Sequence, residues 1–447
     1  EQIDSLTYKL KSAVGNERCI ILNDLAVLYK EVNPKEALNY SEKAYASAVR
    51  ANHKEQKGIA LHNIAESYLS LENYQKAEDY YLKCFDFYKK NKNKEGMGLA
   101  YNSLGKLFWR LSDFNTALDY YFKSLKLREK DKNVEDIANT LSNISIVYND
   151  LSNYEEALSF QNKAISLFRE AGNMKSVAYG LNLIGNIYWS QGKYDQALEF
   201  YEKALKIREE LKLYADVAAS LNNIGIVYKD LSDFNTALNY NLRALKLKER
   251  YSTKQDLAYS YNSIGSVYWK LNKYDSALVF YRNALLIREK HGDNMEVAAS
   301  LNNIGNVYKS LNNYDEALKY YEGALYIWNK LGNNINIALV LNNIGSVYWK
   351  MDTYHLALDY FMQALKIREN TGDKLSIASS FNNIALIYKD LNNFENALSY
   401  YYKALDLYSS IGDKVLIATT FNNIGSVLWS DHQYAKALEF FSKALNL

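Results

Sequence analysis

Cysteine, proline and histidine are scarce in this chain, whose 447 residues carry two, one and five of them. The two cysteines, Cys19 and Cys84, lie far apart in helical patterns, so neither a disulfide framework nor a zinc spacing is written into the sequence. With a single proline, Pro34, long helices can run without an internal breaker. His53, His62, His291, His355 and His432 recur at no common position, and no phosphate-cradling glycine loop or nucleophile elbow is present. Catalysis, a cofactor and a metal are therefore not expected of this segment. No apolar run reaches the roughly eighteen residues of a spanning helix, so direct membrane insertion is not expected. Charge of one sign is lacking too: 53 basic and 51 acidic residues leave a net charge of +2, with no electrostatic footprint for nucleic acid or an anionic membrane.

What the chain does have is a period. LNNIGNVYKSLNNYDEALKYYEGAL, residues 301 to 325, returns in near copies every forty residues. Ala77, Ala117, Ala157 and every fortieth residue on to Ala437 are alanine; Tyr68, Phe108, Tyr148 and onward to Tyr388 are aromatic, and Leu428 breaks that series. A fixed period of this length marks a repeat array in which each unit buries the apolar face of its neighbour. One continuous solenoid is expected, in place of the roughly three domains that length alone suggests.

Residues 1–17 read as an amphipathic lead-in, with Ile3, Leu6 and Leu10 at helical spacing, and residues 18–447 as the array, its last unit truncated. The first repeat begins near Arg18, and Pro34 opens its second helix, where a missing N–H is tolerated. The chain opens on Glu1 and stops at Leu447 partway through a helical pattern, so both ends read as cut or processed, which fits a signal peptide already removed.

In the unit 293–332, Asp293 is the expected N-cap of an A helix running from about Asn294 to Ser310, and Asn133, Asn173, Asn333, Asp373 and Asp413 hold the same slot. Residues 311–313 turn the chain into a B helix from about Tyr314 to Leu331, which Gly332 stops as Gly172, Gly292, Gly372 and Gly412 do in their copies. Leu301, Ile304, Gly305 and Tyr308 form the apolar stripe of A, and Tyr314, Ala317, Tyr321 and Ala324 that of B. The ring of Tyr308 is expected to fill the space beside the small residues. Charged ends of B helices, such as Lys206, Arg208, Glu209 and Glu210, read as a solvated convex face, and Trp328 as outer packing.

At Leu301, Ile304, Gly305, Tyr308, Ala317 and Tyr321 the unit resembles the tetratricopeptide repeat family, and the likeness covers about residues 18 to 447. The family's Trp slot is mostly Leu here and its Pro slot, Asn329 in this unit, is never proline, so helix B runs about two turns further than in a unit of about 34 residues. The resemblance implies an all-α fold: a right-handed superhelical solenoid of about eleven antiparallel helix pairs whose A helices line a concave groove for extended peptides. The longer unit is similar to those of Pins-type polarity adaptors, kinesin light chains and many bacterial signalling receptors. The opening, IDSLTYKLKSAVGNERCIILNDLAVLYKE, resembles the sensor regions of Bacteroidetes-type receptors. In those, a secreted-side array precedes a transmembrane helix and a histidine kinase, cyclase or DNA-binding output.

At 100° per residue, Asn302, Asn306 and Lys309 share an A-helix face roughly opposite Ile304 and Leu311, and that face is expected to look into the groove. Trp109, Trp189, Trp269, Trp349 and Trp429 fall eighty apart in one slot, with Lys229, Lys309 and Lys389 between them and Asn149 as the exception, so the true unit is a pair of repeats. Lys270 and Lys350 follow tryptophans, whereas Asp230 and Asp390 follow lysines. Asn182, Asn222, Asn262, Asn302, Asn342, Asn382 and Asn422 line the same wall, accompanied by Asn223, Asn303, Asn343, Asn383 and Asn423. Asparagine both donates and accepts, so such a row can pair with a peptide backbone of any sequence. Tryptophan would add apolar area and cation–π contacts, and lysine a preference for anions. The expected partner is an extended, partly acidic or aromatic segment. The structural alternative is that the asparagines tie adjacent A helices together and the tryptophans pack between turns.

The expected function is a non-enzymatic peptide- or protein-binding module, the sensing region of a bacterial signalling receptor in a periplasmic or extracytoplasmic location. The alternatives are a cytosolic adaptor that brings two proteins together and the regulatory arm of a caspase-like protease.

Overall fold

A computed structural model of the chain describes residues 2–30, 32–131, 133–291 and 294–447, without the side chains of Asp131 and His291. The expected cap Asp293 and stop Gly292 lie outside the described residues. Among the described residues there are 23 α-helices and no strand. A lead-in helix, Gln2–Leu10, precedes helix pairs that run from Gly15–Tyr29 with Pro34–Arg50 to Lys414–Ser430 with Tyr434–Leu445. The reference unit is Asn294–Ser310 with Tyr314–Leu331. Two compact units divide the chain, Glu1–Val227 and Tyr228–Leu447, the boundary falling inside helix Tyr214–Asp230. Within each, an A helix packs on its own B helix and that B helix on the next A helix, an all-α solenoid of consecutive pairs.

The helix ends follow local chemistry. Asn133, Asn173, Asn333 and Asp413 accept the backbone N–H three residues on, satisfying a donor that the first turn cannot use. Gly172, Gly332, Gly372 and Gly412 sit at φ between 67° and 83°, the left-handed conformation that ends a helix without a Cβ clash. The A-to-B turn needs the same conformation, and Asn272, Asn312, Asp352 and Asn392 supply it at φ of 56° to 58°.

Ile304, Ala317, Tyr321 and Ala324 are fully buried. The ring beside Gly305 is that of Tyr321 and not, as expected, that of Tyr308: a Cβ on Gly305 would stand 2.7 Å from Tyr321 Cε1. Gly185 faces Tyr201, Gly265 faces Tyr281 and Gly345 faces Phe361 in the same way. Tyr308 instead lies nearly flat on Tyr320, centroids 5.5 Å apart, and is only half-buried.

The far end of helix B differs from the solvated face expected there. Lys206, Glu209 and Glu210 are exposed, but Arg208 is buried, its Nη1 donating to the Asp216 carbonyl at 3.0 Å and Ser220 Oγ at 2.6 Å on the next A helix. Arg128, Arg288 and Arg368 make the same two bonds, to the carbonyls of Asp136, Glu296 and Ser376 and the hydroxyls of Thr140, Ser300 and Ser380. In the alternate copies this slot holds buried Tyr88, Phe168, Trp328 or Tyr408. Trp328 is thus core, packed with Ile337, Ala338, Val340 and Leu341, rather than outer packing. Lys248 is the odd member, reaching only the Asp256 carbonyl at 3.4 Å and leaving Ser260 Oγ buried without a partner. Its ammonium has donors enough, but the lysine side chain ends one bond short of an arginine Nη1 and does not reach the hydroxyl. From Tyr88 to Tyr408 the seams therefore alternate between an aromatic plug and a guanidinium tie, with Lys248 standing in place of one plug.

Candidate functional site

The expected wall is a hydrogen-bonded ladder. Nδ2 of the second asparagine of one A helix donates to Oδ1 of the first asparagine of the A helix before it: Asn223 to Asn182, Asn303 to Asn262, Asn343 to Asn302, Asn383 to Asn342 and Asn423 to Asn382, all at 2.8 to 3.0 Å. Each rung uses one amide proton and one carbonyl oxygen. It leaves Nδ2 of the first asparagine and Oδ1 of the second without a partner among the described residues for Asn342, Asn343 and Asn383. Tying and binding are thus compatible, because a carboxamide has groups left over. Asn182 and Asn302 are nearly buried, Asn222, Asn262, Asn342 and Asn382 half-buried and Asn422 exposed. Asn222 Oδ1 is buried without a partner.

The tryptophans share the face expected to look into the groove, and three of them also pack against the core. Trp109, Trp269 and Trp349 are half-buried against apolar clusters, Trp349 on that of Phe361 and Ile387. Their Nε1–H groups reach the next repeat, donating to Asp150 at 2.6 Å, Ser310 at 3.0 Å and Asp390 at 2.7 Å. An indole offers one donor and a wide apolar plate, so it can seal a seam and still show an edge to the wall. Trp189 is 40% exposed and Trp429 59%, the latter edge-on to Tyr434. The alternating Asp or Ser after each intervening Asn or Lys was the sequence signal for these acceptors.

Of the lysines, Lys229 lies 3.8 Å from Asp230, and Lys389 is half-buried. Lys309 has no carboxylate partner among the described residues; its Nζ sits 5.9 Å from the Tyr321 ring centroid. Burial first, and then the neighbouring Lys350 ammonium, push its pKa down. Tyr321 is held in place by its hydroxyl, which donates to Asn306 Oδ1 at 2.7 Å. Lys309, Asn342 and Trp349 meet in one cleft of about 210 Å³, together with Asn343, Ser346, Phe361, Asn383 and Leu386. The cleft therefore combines an unneutralised cation, spare amide donors and acceptors, a hydroxyl and an indole.

A second polar cluster was not anticipated. Buried Glu66 accepts from Tyr81 Oη at 2.5 Å and pairs with Lys30 at 3.3 Å and Lys106 at 3.7 Å, with His62 at 4.0 Å. Burial would raise its pKa, but His62, Lys106, Tyr81 and Lys30 together hold it down to about 2. No set of three metal-ligating side chains occurs among the described residues, and no described helix is long and apolar enough to cross a membrane. Both cysteines are free and buried.

A family model described as tetratricopeptide repeat matches residues 56–130, 136–210, 216–290, 296–370 and 376–447. No curated relative matches the chain. Similar solved structures include the apo form of the quorum sensor NprR from B. thuringiensis, at 17% identity over 77% of this chain and 97% of that one, TM-score 0.54. A Rap protein complexed with competence and sporulation factor shares 13% identity over 80% and 99% of the two chains, TM-score 0.53. Aspartyl phosphate phosphatase F from Bacillus subtilis shares 15% over 79% and 94%, TM-score 0.52. At these identities the likeness is one of fold.

Proposed function

The chain belongs to the tetratricopeptide repeat family, and on that premise we propose that its A-helix wall is a non-catalytic recognition surface for an extended, partly acidic peptide segment. The observation that carries this reading is the cleft around Lys309. A half-buried ammonium without an acid invites a carboxylate, and leaving it empty keeps a desolvation cost that a ligand would relieve. Spare Nδ2 of Asn342 and spare Oδ1 of Asn343 and Asn383 match the alternating acceptors and donors of a peptide backbone. The edge of Trp349 offers apolar area beside them.

We place the module in the sensing part of a bacterial signalling receptor, outside the cytoplasm. The likeness of residues 3–31 to such sensors supports this, and a fold shared with a quorum sensor and with a protein complexed with competence and sporulation factor supports the sensing role, not the location. An upstream signal peptide and a downstream apolar segment in the native gene are the features this context requires.

The recognition reading is tested by selecting random peptides of about twelve residues on the wild-type chain and measuring anisotropy of the winners on Lys309→Met and Asn342→Ala. Enrichment of acidic peptides that bind either variant at least roughly tenfold more weakly is expected, a difference of about 1.4 kcal/mol. Winners without acidic residues, or binding unchanged in both variants, would refute it.

A further inference from the structure

The second helix pair departs from the rule its later copies keep. Lys57 occupies an A-helix slot that is Met97, Ile137, Val177, Val217, Leu257 and then Val or Ile in every copy beyond. The later copies show what packing alone selects there, and lysine is not among it. His53, one turn earlier, replaces a cap that is Asn, Asp or Thr in the later copies apart from Leu213.

Both residues face the same hollow. Lys57 Nζ stands 5.4 Å from the ring centroids of Tyr45 and of Phe87. It lines a cleft of about 330 Å³ with Lys54, Lys90, His53, Asn52 and Asn91, and no carboxylate lines it. None of the three ammonium groups has an ion-pair partner among the described residues. His53 Nδ1 accepts the Gln56 N–H at 3.3 Å, so the neutral imidazole carries its proton on Nε2 as one more donor. The three side chains bring positive charge to one cleft whose lining offers no counter-charge, so an anion entering it would be attracted by all three. A single carboxylate would answer one of three cations, whereas a phosphoryl chain brings several charges and many acceptor oxygens. The volume is that of a small-molecule pocket, at its lower end.

We propose that this cleft binds the phosphoryl groups of a small organic phosphate, of the size and charge of a nucleoside diphosphate, with Lys54, Lys57 and Lys90 as its contacts. The site is independent of the peptide-recognition wall and stands or falls apart from it. Titration calorimetry of the full chain with ADP, pyrophosphate and adenosine tests it, using wild type, Lys57→Ile and the double variant Lys54→Gln/Lys90→Gln. Saturable binding of ADP and pyrophosphate, weakened at least roughly tenfold in both variants and absent for adenosine, is the expected result. Ile is the residue type of the slot elsewhere, so Lys57→Ile should melt no lower than wild type, and the double variant alters only exposed side chains. Absence of saturable binding, equal affinity in both variants, or stronger binding of a glutamate-rich peptide than of pyrophosphate would overturn the proposal.

Discussion

Four helix pairs are joined to the next by an arginine, buried at Arg128, Arg208 and Arg288 and half-buried at Arg368, that donates twice from one Nη1, and Lys248 joins its own pair with a single contact of 3.4 Å. Lys248→Arg should therefore add the missing bond to Ser260 Oγ, which now lies buried and unpaired. A hydrogen bond to a charged group contributes about 1.5 to 3 kcal/mol net, and ordering the longer guanidinium side chain opposes part of that. A stabilisation of about 1 to 2 kcal/mol remains. Because an array need not unfold in one step, the readout is local: amide exchange in helix Lys254–Lys270 should slow by roughly 5- to 30-fold. In Lys248→Arg/Ser260→Ala the gain should disappear, since the acceptor is gone. The reverse change, Arg288→Lys, strands Ser300 and loosens the 2.6 Å contact with Glu296, and should cost about 2 kcal/mol. Faster exchange in Lys248→Arg, or a gain that survives Ser260→Ala, would show that the guanidinium tie is not what holds these seams.

Gly305→Leu should destabilise by about 1 to 3 kcal/mol in chemical denaturation, because its side chain enters the ring of Tyr321. Gly305→Ala should cost less, since Ala65 and Ala385 stand in that slot in copies whose rings are Tyr81 and Tyr401. Trp349→Ala should lower stability by about 1 to 3 kcal/mol, losing half-buried area and the indole bond to Asp390, whereas Trp429→Ala, more than half exposed, should cost under about 1 kcal/mol. Glu66→Gln has a pH signature: a carboxyl held at about 2 against an ordinary 4.5 stabilises the fold fully above about pH 4.5 and loses that contribution as pH falls through 2. The gap between wild type and variant should be flat from pH 7 to about 5, at most about 3 kcal/mol, and close toward pH 2 in equilibrium unfolding.

The period of forty made the helix pairs legible, because alanines such as Ala317 and Ala324 and caps such as Asn333 recur where close packing and orphan N–H groups demand them. The boundaries at Asn294, Ser310, Tyr314 and Leu331 follow from those signals. Tyr308 and Tyr321 exchanged roles, since a helical stripe says which residues point inward but not which ring meets the glycine. Arg208 was misread because charge was taken to mean solvent. Its partner was nonetheless visible: Thr140, Ser220, Ser300 and Ser380 stand twelve residues after each arginine, where Tyr88, Phe168 and Trp328 are followed by Ala100, Gly180 and Val340, Tyr408 with Thr420 being the exception. The wall residues were legible as a set, but their spare hydrogen-bonding groups appear only once the rungs have claimed the others.

The alternation of seams limits how such a chain can grow or shrink. Excising one copy so that the unit of Trp269 abutted that of Trp349 would bring Lys350 to the place of Ser310, and Val340 to the place of Ser300. An indole N–H would meet an ammonium, and the Arg288 guanidinium would be entombed against a valine. Removing two adjacent copies there would bring Asp390 and Ser380 to those places and restore both matches, so viable length variants around these copies should differ by even numbers of repeats.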